Sequence, residues 1–251
     1  MATGCRVLAG NGHSDYIWGH AALRDPDGRG VWMKSSGIGF EETTPDDVVL
    51  VDFDGSVLAG RGRPHREWPI HTEVLRARPD VHAVVHSHPP HAIALGAAEA
   101  PLLPVSHAAT LFAPGPLPRF DRTANLILTP ELGVEVARAL GERSALLLVN
   151  HGIVVAAADL PTAVVHAILL EDACRQQLLT AALGGARRWS SDEEALAKRE
   201  TLWPPSNLRA MWAYLVRQLD QPSSSTAANS SPAAAAAASS GSASAANVPR
   251  P

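Results

Sequence analysis

The stretch Val81-His82-Ala83-Val84-Val85-His86-Ser87-His88 is the part of the sequence from which the fold is inferred. Its valines favour a strand, and alternate side chains of a strand lie on the same face. His86 and His88 would share a face, with Cα atoms roughly 6.5–7 Å apart, a spacing at which two imidazoles can bind one metal ion. His82 lies on that face four residues before His86 and could equally belong to the pair. Because the chain has 11 histidines, a surface or hydrogen-bonded role is the alternative for each of them.

A third histidine, His151, follows the apolar run at residues 145–149 and Asn150. The run predicts a buried strand, and Gly152 permits a turn directly behind the histidine. If the two strands end near each other, three neutral nitrogen ligands face one ion and leave positions open for a substrate. That arrangement is expected of a catalytic metal site rather than a structural one.

Glu67 opens a predicted helix over residues 67–78, in which Pro69 is tolerated in the first turn. An acid at this position is favoured by the helix dipole, so it has a purely structural interpretation. The alternative is a carboxylate beside the metal that moves a proton during catalysis. The residues alone do not separate the two.

The rest of the chain mixes strand and helix patterns. Further strands are predicted at residues 30–34, 48–53 and 56–59, and further helices at residues 133–140, 160–183 and 196–219, the last broken at Pro204-Pro205. Together they indicate one α/β domain at residues 1–220, with helices covering a mainly antiparallel or mixed sheet. Residues 221–251 are almost entirely Ala, Ser, Pro, Asn and Gly, a composition that predicts a disordered tail.

Composition narrows the function classes. A hydrophobic fraction of 46% over 251 residues is ample for one core, and a formal net charge of -4 argues against nucleic acid as the main partner. No apolar run is long enough for a membrane-spanning helix, and the N-terminus lacks a secretory pattern. Two cysteines, Cys5 and Cys174, are too few for a disulfide framework, so a cytoplasmic location is predicted.

Several motifs, in this order, resemble the class II aldolase/adducin family. They are Gly19-His-Ala-Ala-Leu-Arg24, Lys34-Ser-Ser-Gly37, Glu67-Trp-Pro-Ile-His71, Arg78-Pro-Asp-Val81, Val84-Val-His-Ser-His88 and Asn150-His-Gly152. The resemblance covers residues 5–190. It implies a three-layer α/β/α fold around a mostly antiparallel sheet. It also implies homotetramers with active sites at subunit boundaries.

The resemblance also implies the site and its chemistry. It makes His86, His88 and His151 the ligands of one divalent metal ion per chain, and Glu67 the catalytic acid/base. Zn²⁺ is the expected ion, with Mn²⁺ or Fe²⁺ as alternatives. The implied activity is that of a carbon–carbon lyase, an aldolase or a decarboxylase, acting through a metal-stabilised enolate. The expected partner is a small hydroxy or keto compound or an aromatic carboxylate.

Two positions depart from the phosphate-binding pattern of the sugar-phosphate members. His20 stands where those members have Asn, and His65-Arg66 stands where they have two serines. An arginine suits a carboxylate, which a guanidinium group binds in two places, although a salt bridge at the surface is the alternative. This form is similar to the branch with aromatic-acid decarboxylases and an iron-dependent oxygenase. The candidate substrate-binding residues are His20, Arg24, Ser35, Ser36, Gly37, Arg66 and His91.

Three functions are compatible with this sequence. The first is the metal-dependent lyase. The second is a non-haem Fe(II) oxygenase that uses the same three histidines. The third is a non-catalytic interaction module like the adducin head domains, and the retention of all three histidines and Glu67 argues against it.

Overall fold

The computed structural model describes residues 1–98 and 100–220, and the predicted tail at residues 221–251 lies outside the described residues. In the described part, eight strands form a single sheet with the order β4-β3-β2-β1-β5-β8-β7-β6. The strands are β1 (His20–Arg24), β2 (Val31–Lys34), β3 (Val48–Val51), β4 (Val57–Ala59), β5 (Ala83–Ser87), β6 (Arg119–Phe120), β7 (Ala145–Leu148) and β8 (Gly152–Ala157). Among them only the pair β6–β7 is parallel, which confirms the predicted mixed, mostly antiparallel sheet.

Helices cover both faces of the sheet. They are α1 (Ala2–Leu8), α2 (Trp68–Ala77), α3 (Pro90–Ala97), α4 (His107–Thr110), α5 (Pro130–Leu140), α6 (Leu160–Ala182), α7 (Asp192–Leu202) and α8 (Pro205–Leu219). The pair α2 and α5 packs on one face, while α6 and its neighbours pack on the other. The predicted three-layer α/β/α architecture is therefore confirmed.

Strand β7 shows why the apolar runs are continuous rather than alternating. Leu147 belongs to the core on the α6 side, whereas Leu146 and Leu148 belong to the core on the α2 side. Both faces of β7 are buried, so all four of its positions are apolar. In β5 this alternation places Val84 and His86 on the α2 side of the sheet.

The turn between β7 and β8 differs from the sequence prediction. Asn150, not Gly152, adopts the left-handed conformation, with a φ of 58°. Gly152 is required for another reason, because a Cβ atom there would lie 2.5 Å from the carbonyl oxygen of Ser87. The glycine lets β8 approach β5 closely, and this approach places His151 beside the end of β5.

Other boundaries differ in ways that matter for the site. Strand β5 ends at Ser87, so His88 lies just beyond the strand rather than within it. Glu67 is the residue that precedes α2. Among the described residues, its side chain makes no capping hydrogen bond to that helix. Two strands differ from the sequence prediction. Residues 20–24 form β1, where a turn was expected, and residues 152–157 form β8, where only the turn after His151 was expected. Within residues 1–98 and 100–220, no helix is both long enough and apolar enough to cross a bilayer.

Candidate metal centre

His86 and His88 meet at the end of β5. His86 is fully buried, and its Nδ1 lies 2.9 Å from the carbonyl oxygen of Ile153 on the neighbouring strand. A donated hydrogen bond there leaves the lone pair on Nε2, the state required of a metal ligand. The Nε2 atom of His88 lies only 3.0 Å from that of His86. Two imidazole nitrogens therefore face the same point.

His151 completes the group from the turn that follows β7. Both of its ring nitrogens are buried, and neither has a hydrogen-bond partner among the described residues. The ligand atoms of His86, His88 and His151 lie within 4.8 Å of one another, and we call these residues the first donor group. Buried nitrogens without partners cost stability unless a ligand satisfies them. A divalent cation fits this donor set.

Glu67 lies against the first donor group and is almost fully buried. Its Oε1 accepts a hydrogen bond of 2.7 Å from the backbone N–H of Ile127 and lies 3.6 Å from His151 Nε2. Its Oε2 lies 3.8 Å from His86 Nε2. Burial raises the pKa of this carboxyl, but His151, His86 and the Ile127 amide together lower the pKa to about 2. Glu67 is therefore ionised at neutral pH, and its contacts are with the histidines rather than with the N-terminus of α2.

Two supporting contacts were missed by the sequence analysis. Asp15 Oδ2 lies 3.2 Å from His88 Nδ1, so a carboxylate faces the ring nitrogen opposite the one that faces His86. On the other face of β5, His13 Nδ1 lies 2.9 Å from Ser87 Oγ. A carboxylate such as that of Asp15 commonly orients a metal-binding histidine, whereas His13 contacts the strand residue between the two histidines. Both Asp15 and His13 come from the loop and helix ahead of β1, and no local sequence pattern singles them out.

A second cluster of histidines lies beside Glu67. His20 is fully buried, with Nδ1 2.5 Å from His71 Nε2, and its ring centroid is 3.9 Å from that of His65. Burial lowers the pKa of His20 well below its usual value, that of His65 to about 4 and that of His71 to about 3. The cluster is thus neutral at pH 7.

A cavity of about 480 Å³ opens onto Glu67, His88 and His151. Part of its wall is apolar and includes one aromatic side chain, contributed by Ile17, Trp18, Ile93 and Leu126. The remaining wall includes Ser36, His65 and Arg66, whose side chains can hydrogen-bond to an anionic group. The arrangement is that of a small-molecule site, with an apolar wall and a few polar groups beside a reactive cluster.

The structure brings some of the predicted substrate-binding residues to this cavity. Ser36 and Arg66 line it, and Gly37 follows Ser36 with a φ of 85°. Ser35 and His20 are buried behind the wall, so a substrate in the cavity contacts neither. His91 is held by Glu171, whose Oε1 lies 2.6 Å from its Nδ1, and it does not line the cavity.

Arg24 and His82 lie elsewhere. The Arg24 guanidinium donates hydrogen bonds to the carbonyl oxygens of Leu75, Arg78 and Val81, where it closes the C-terminus of α2. It is separated from His20 by the length of β1, roughly 13 Å for four strand residues. His82 is exposed and precedes β5, so it is not part of the histidine pair. Strand alternation suggested His82, and the family resemblance suggested Arg24, but both residues lie at the opposite end of the strands from the cavity.

The chain is similar to proteins of one known family. The Class II Aldolase and Adducin N-terminal domain matches residues 1–178. A 3,4-dihydroxyphthalate decarboxylase from Arthrobacter keyseri is 34% identical over 228 residues, which are 85% of this chain and 90% of that protein. A 4-hydroxy-3-prenylphenylpyruvate oxygenase/4-hydroxy-3-prenylbenzoate synthase from Streptomyces roseochromogenus subsp. oscitans is 34% identical over 175 residues, 68% of this chain and 63% of that protein. A solved L-fuculose 1-phosphate aldolase superposes with a TM-score of 0.70 at 27% identity, covering 80% of this chain and 93% of that one.

Proposed function

Because the chain belongs to the class II aldolase and adducin family, whose named members here include decarboxylases and aldolases, we propose that it is a divalent-metal-dependent carbon–carbon lyase. One observation carries the proposal: one buried and two partly buried imidazoles and an ionised carboxylate converge at one wall of a cavity. Neutral nitrogen donors leave the full charge of a bound cation available to a substrate.

The first donor group would hold the cation, with Zn²⁺ the expected ion and Mn²⁺ or Fe²⁺ as alternatives. When bound, the cation supplies a positive charge that stabilises negative charge developing on a substrate oxygen as the carbon–carbon bond breaks. Ile153 and Asp15 orient His86 and His88 through the ring nitrogens that face away from the pair. The chain thus provides a rigid donor set before the substrate arrives.

Glu67 would move the proton. One carboxylate oxygen is held by the Ile127 amide, so the other is left facing the cluster and the cavity. Because Glu67 is ionised, it can accept a proton from a substrate hydroxyl as the bond breaks. It then returns that proton to the carbon that has lost carbon dioxide or the aldehyde fragment. Burial and fixed hydrogen bonding keep the carboxylate in one position through both steps.

We propose a small carboxylate, preferably aromatic, as the substrate class. The apolar wall with Trp18 accommodates a ring, and Arg66 can bind a carboxylate. The serine pair expected for a phosphate is replaced by His65 and Arg66. The similarity to a 3,4-dihydroxyphthalate decarboxylase over most of both chains supports decarboxylation over aldol cleavage.

An Fe(II) oxygenase is the second candidate, and the relative named as an oxygenase favours it. Three neutral histidines also suit Fe²⁺, with open positions for oxygen and substrate. The two functions differ in a measurable way, because a lyase releases carbon dioxide or an aldehyde without oxygen, whereas an oxygenase consumes it.

We further propose a homotetramer with active sites at subunit boundaries. Tyr16, which stands in the sequence between the cavity-lining residues Asp15 and Ile17, is 81% exposed and has a φ of 51°, and the cavity-lining Trp18 is half exposed. Aromatic side chains held out in a constrained backbone are suited to burial against another chain. Light scattering on the purified protein should give four chains per particle, and a monomer would contradict this part of the proposal.

The deciding experiment is metal analysis of protein purified without chelator, paired with assays under argon. We expect at least one Zn²⁺ or Mn²⁺ per chain and release of carbon dioxide from dihydroxylated aromatic dicarboxylates. His88→Ala should lose the ion, while the matched exposed variant His82→Ala should keep it.

Turnover only in the presence of oxygen would replace the lyase by the oxygenase. Failure to bind Zn²⁺, Mn²⁺ or Fe²⁺ would contradict both.

A further inference from the structure

The two positions that depart from the phosphate-binding pattern lie side by side in the fold. His20 ends up against His65, and with Glu67 they form a second donor group, whose ligand atoms lie within 4.8 Å of one another. The sequence separates these residues by 45 positions and gives no sign that they meet. Their joint replacement by histidines therefore creates one local chemistry rather than two separate changes.

The second donor group is buried, and two of its nitrogen atoms lack hydrogen-bond partners in the part of the chain that the structure describes. His20 is 0% exposed, His65 is 7% exposed and Glu67 is 1% exposed. His20 Nε2 and His65 Nδ1 are buried without a hydrogen-bond partner anywhere in the described ranges. Each of these two adjacent imidazoles thus has one buried nitrogen without a partner within residues 1–98 and 100–220. A bound group that contacts both nitrogens would satisfy them.

The contact with His71 is compatible with the tautomer that a metal ligand requires of His20. His20 Nδ1 lies 2.5 Å from His71 Nε2, and a hydrogen bond donated by His20 leaves its own Nε2 with a free lone pair. That lone pair then lies 3.8 Å from Glu67 Oε2. His86 has a similar arrangement, because its Nδ1 faces the Ile153 carbonyl oxygen while its Nε2 faces the site.

Glu67 belongs to the second donor group and also lies against the first. Its Oε2 is 3.8 Å from His20 Nε2 and 3.8 Å from His86 Nε2. A single carboxylate in this position can bridge two cations. Paired metal ions held closely together stabilise two oxygens of one substrate at once.

We propose that His20, His65 and Glu67 form a second divalent-metal site that shares Glu67 with the first, an inference that rests on the proposed metal-dependent function. Nitrogen and carboxylate donors suit Mn²⁺, Fe²⁺, Co²⁺ or Zn²⁺. The second ion binds more weakly than the first, because one carboxylate offsets both ions and the ammonium group of Lys34 acts on His20 and His65. Its place next to His65, which lines the cavity, suits it to bind a carboxylate of the substrate.

The test counts ions on the full chain. Protein stripped with chelator is titrated with MnCl₂ up to millimolar concentration, and free and bound Mn²⁺ are followed by electron paramagnetic resonance. We expect two bound ions per chain, the second weaker, with the spectrum of an exchange-coupled pair at saturation. His65→Ala should reduce the count from two to one, abolish the coupling and leave the tight step unchanged. His82→Ala should retain both ions and the coupling.

The other results separate this inference from the proposed function. One ion per chain in the wild type, lost in His88→Ala, would overturn the second site and leave the function intact. Two ions that persist without coupling in His65→Ala would show that the second is adventitious, which also overturns it. The absence of any bound ion would overturn the function as well. His20→Gln provides a second variant, and circular dichroism confirms that each variant is folded.

Discussion

The two ends of the β1–β5 strand pair have very different chemistry, although the sequence presents them alike. At the site end, His20 of β1 pairs with His86 of β5, and both are buried among other histidines. At the distal end, Arg24 and His82 lie where β1 ends and β5 begins, and Arg24 is used to close the C-terminus of α2. Both ends carry residues that can bind a substrate. Of the two ends, only the site end has buried side-chain atoms without a hydrogen-bond partner among residues 1–98 and 100–220.

The difference teaches that side-chain alternation assigns a face of the sheet but not an end. His82, His86 and His88 were expected on one face, and Arg24 and His20 were both expected among the substrate-binding residues. Which of them reaches the cavity depends on the pairing with β8 and on the loops beyond the strands, and neither is encoded in the local pattern. The comparison predicts that substitutions at the site end change chemistry, whereas those at the distal end change stability or nothing.

The largest effect is expected for Glu67→Gln at the site end. Glutamine preserves the size of the side chain and an oxygen that accepts from the Ile127 amide, but it cannot take up a proton. We expect kcat to fall by about 10²–10⁴-fold, the usual contribution of general acid–base catalysis, with little change in the free energy of unfolding. Steady-state kinetics with urea denaturation measures both. A variant with wild-type kcat would remove Glu67 from the proposed mechanism.

Arg24→Ala should have the next largest effect, and it should be on stability. The substitution removes a guanidinium that bonds to three carbonyl oxygens at the end of α2. Since hydrogen bonds to charged groups are strong and the carbonyls lose their partner, we expect the free energy of unfolding to fall by about 2–4 kcal/mol. Metal stoichiometry and KM of the folded protein should stay unchanged. A raised KM at unchanged stability would return Arg24 to the substrate-binding residues.

Asp15→Asn tests the periphery of the site end. Asparagine keeps the shape but removes the charge that faces His88 Nδ1. Loss of such a partner typically lowers metal affinity by about 10–100-fold. A competition titration with a chelating dye measures the dissociation constant of the tight ion. The control is Asp80→Asn, which removes an exposed carboxylate paired with Arg78 and should leave metal affinity at the wild-type value.

The sequence predicted the features that depend on local pattern and missed those that depend on contacts between distant segments. The buried strands β5 and β7 and the convergence of His86, His88 and His151 follow from local pattern and from the family resemblance. Asp15 and His13 could not be found, because loop residues acquire partners only after the sheet has formed. Strand β8 was missed because the chain reverses immediately after His151, with Asn150 in a conformation that few residues other than glycine adopt.

The smallest effect is expected for His82→Ala, which tests directly whether the distal end of the strand pair takes part in the site. His82 lies four residues before His86 on the sequence, yet its side chain is exposed at the distal end. Its backbone N–H donates to the Ala157 carbonyl oxygen, a bond that alanine keeps. We expect stability to change by less than about 0.5 kcal/mol, as for exposed positions without special contacts, and kcat and metal content to be those of the wild type. Loss of metal in this variant would mean that the distal end takes part in the site, and the division between the two ends would then be wrong.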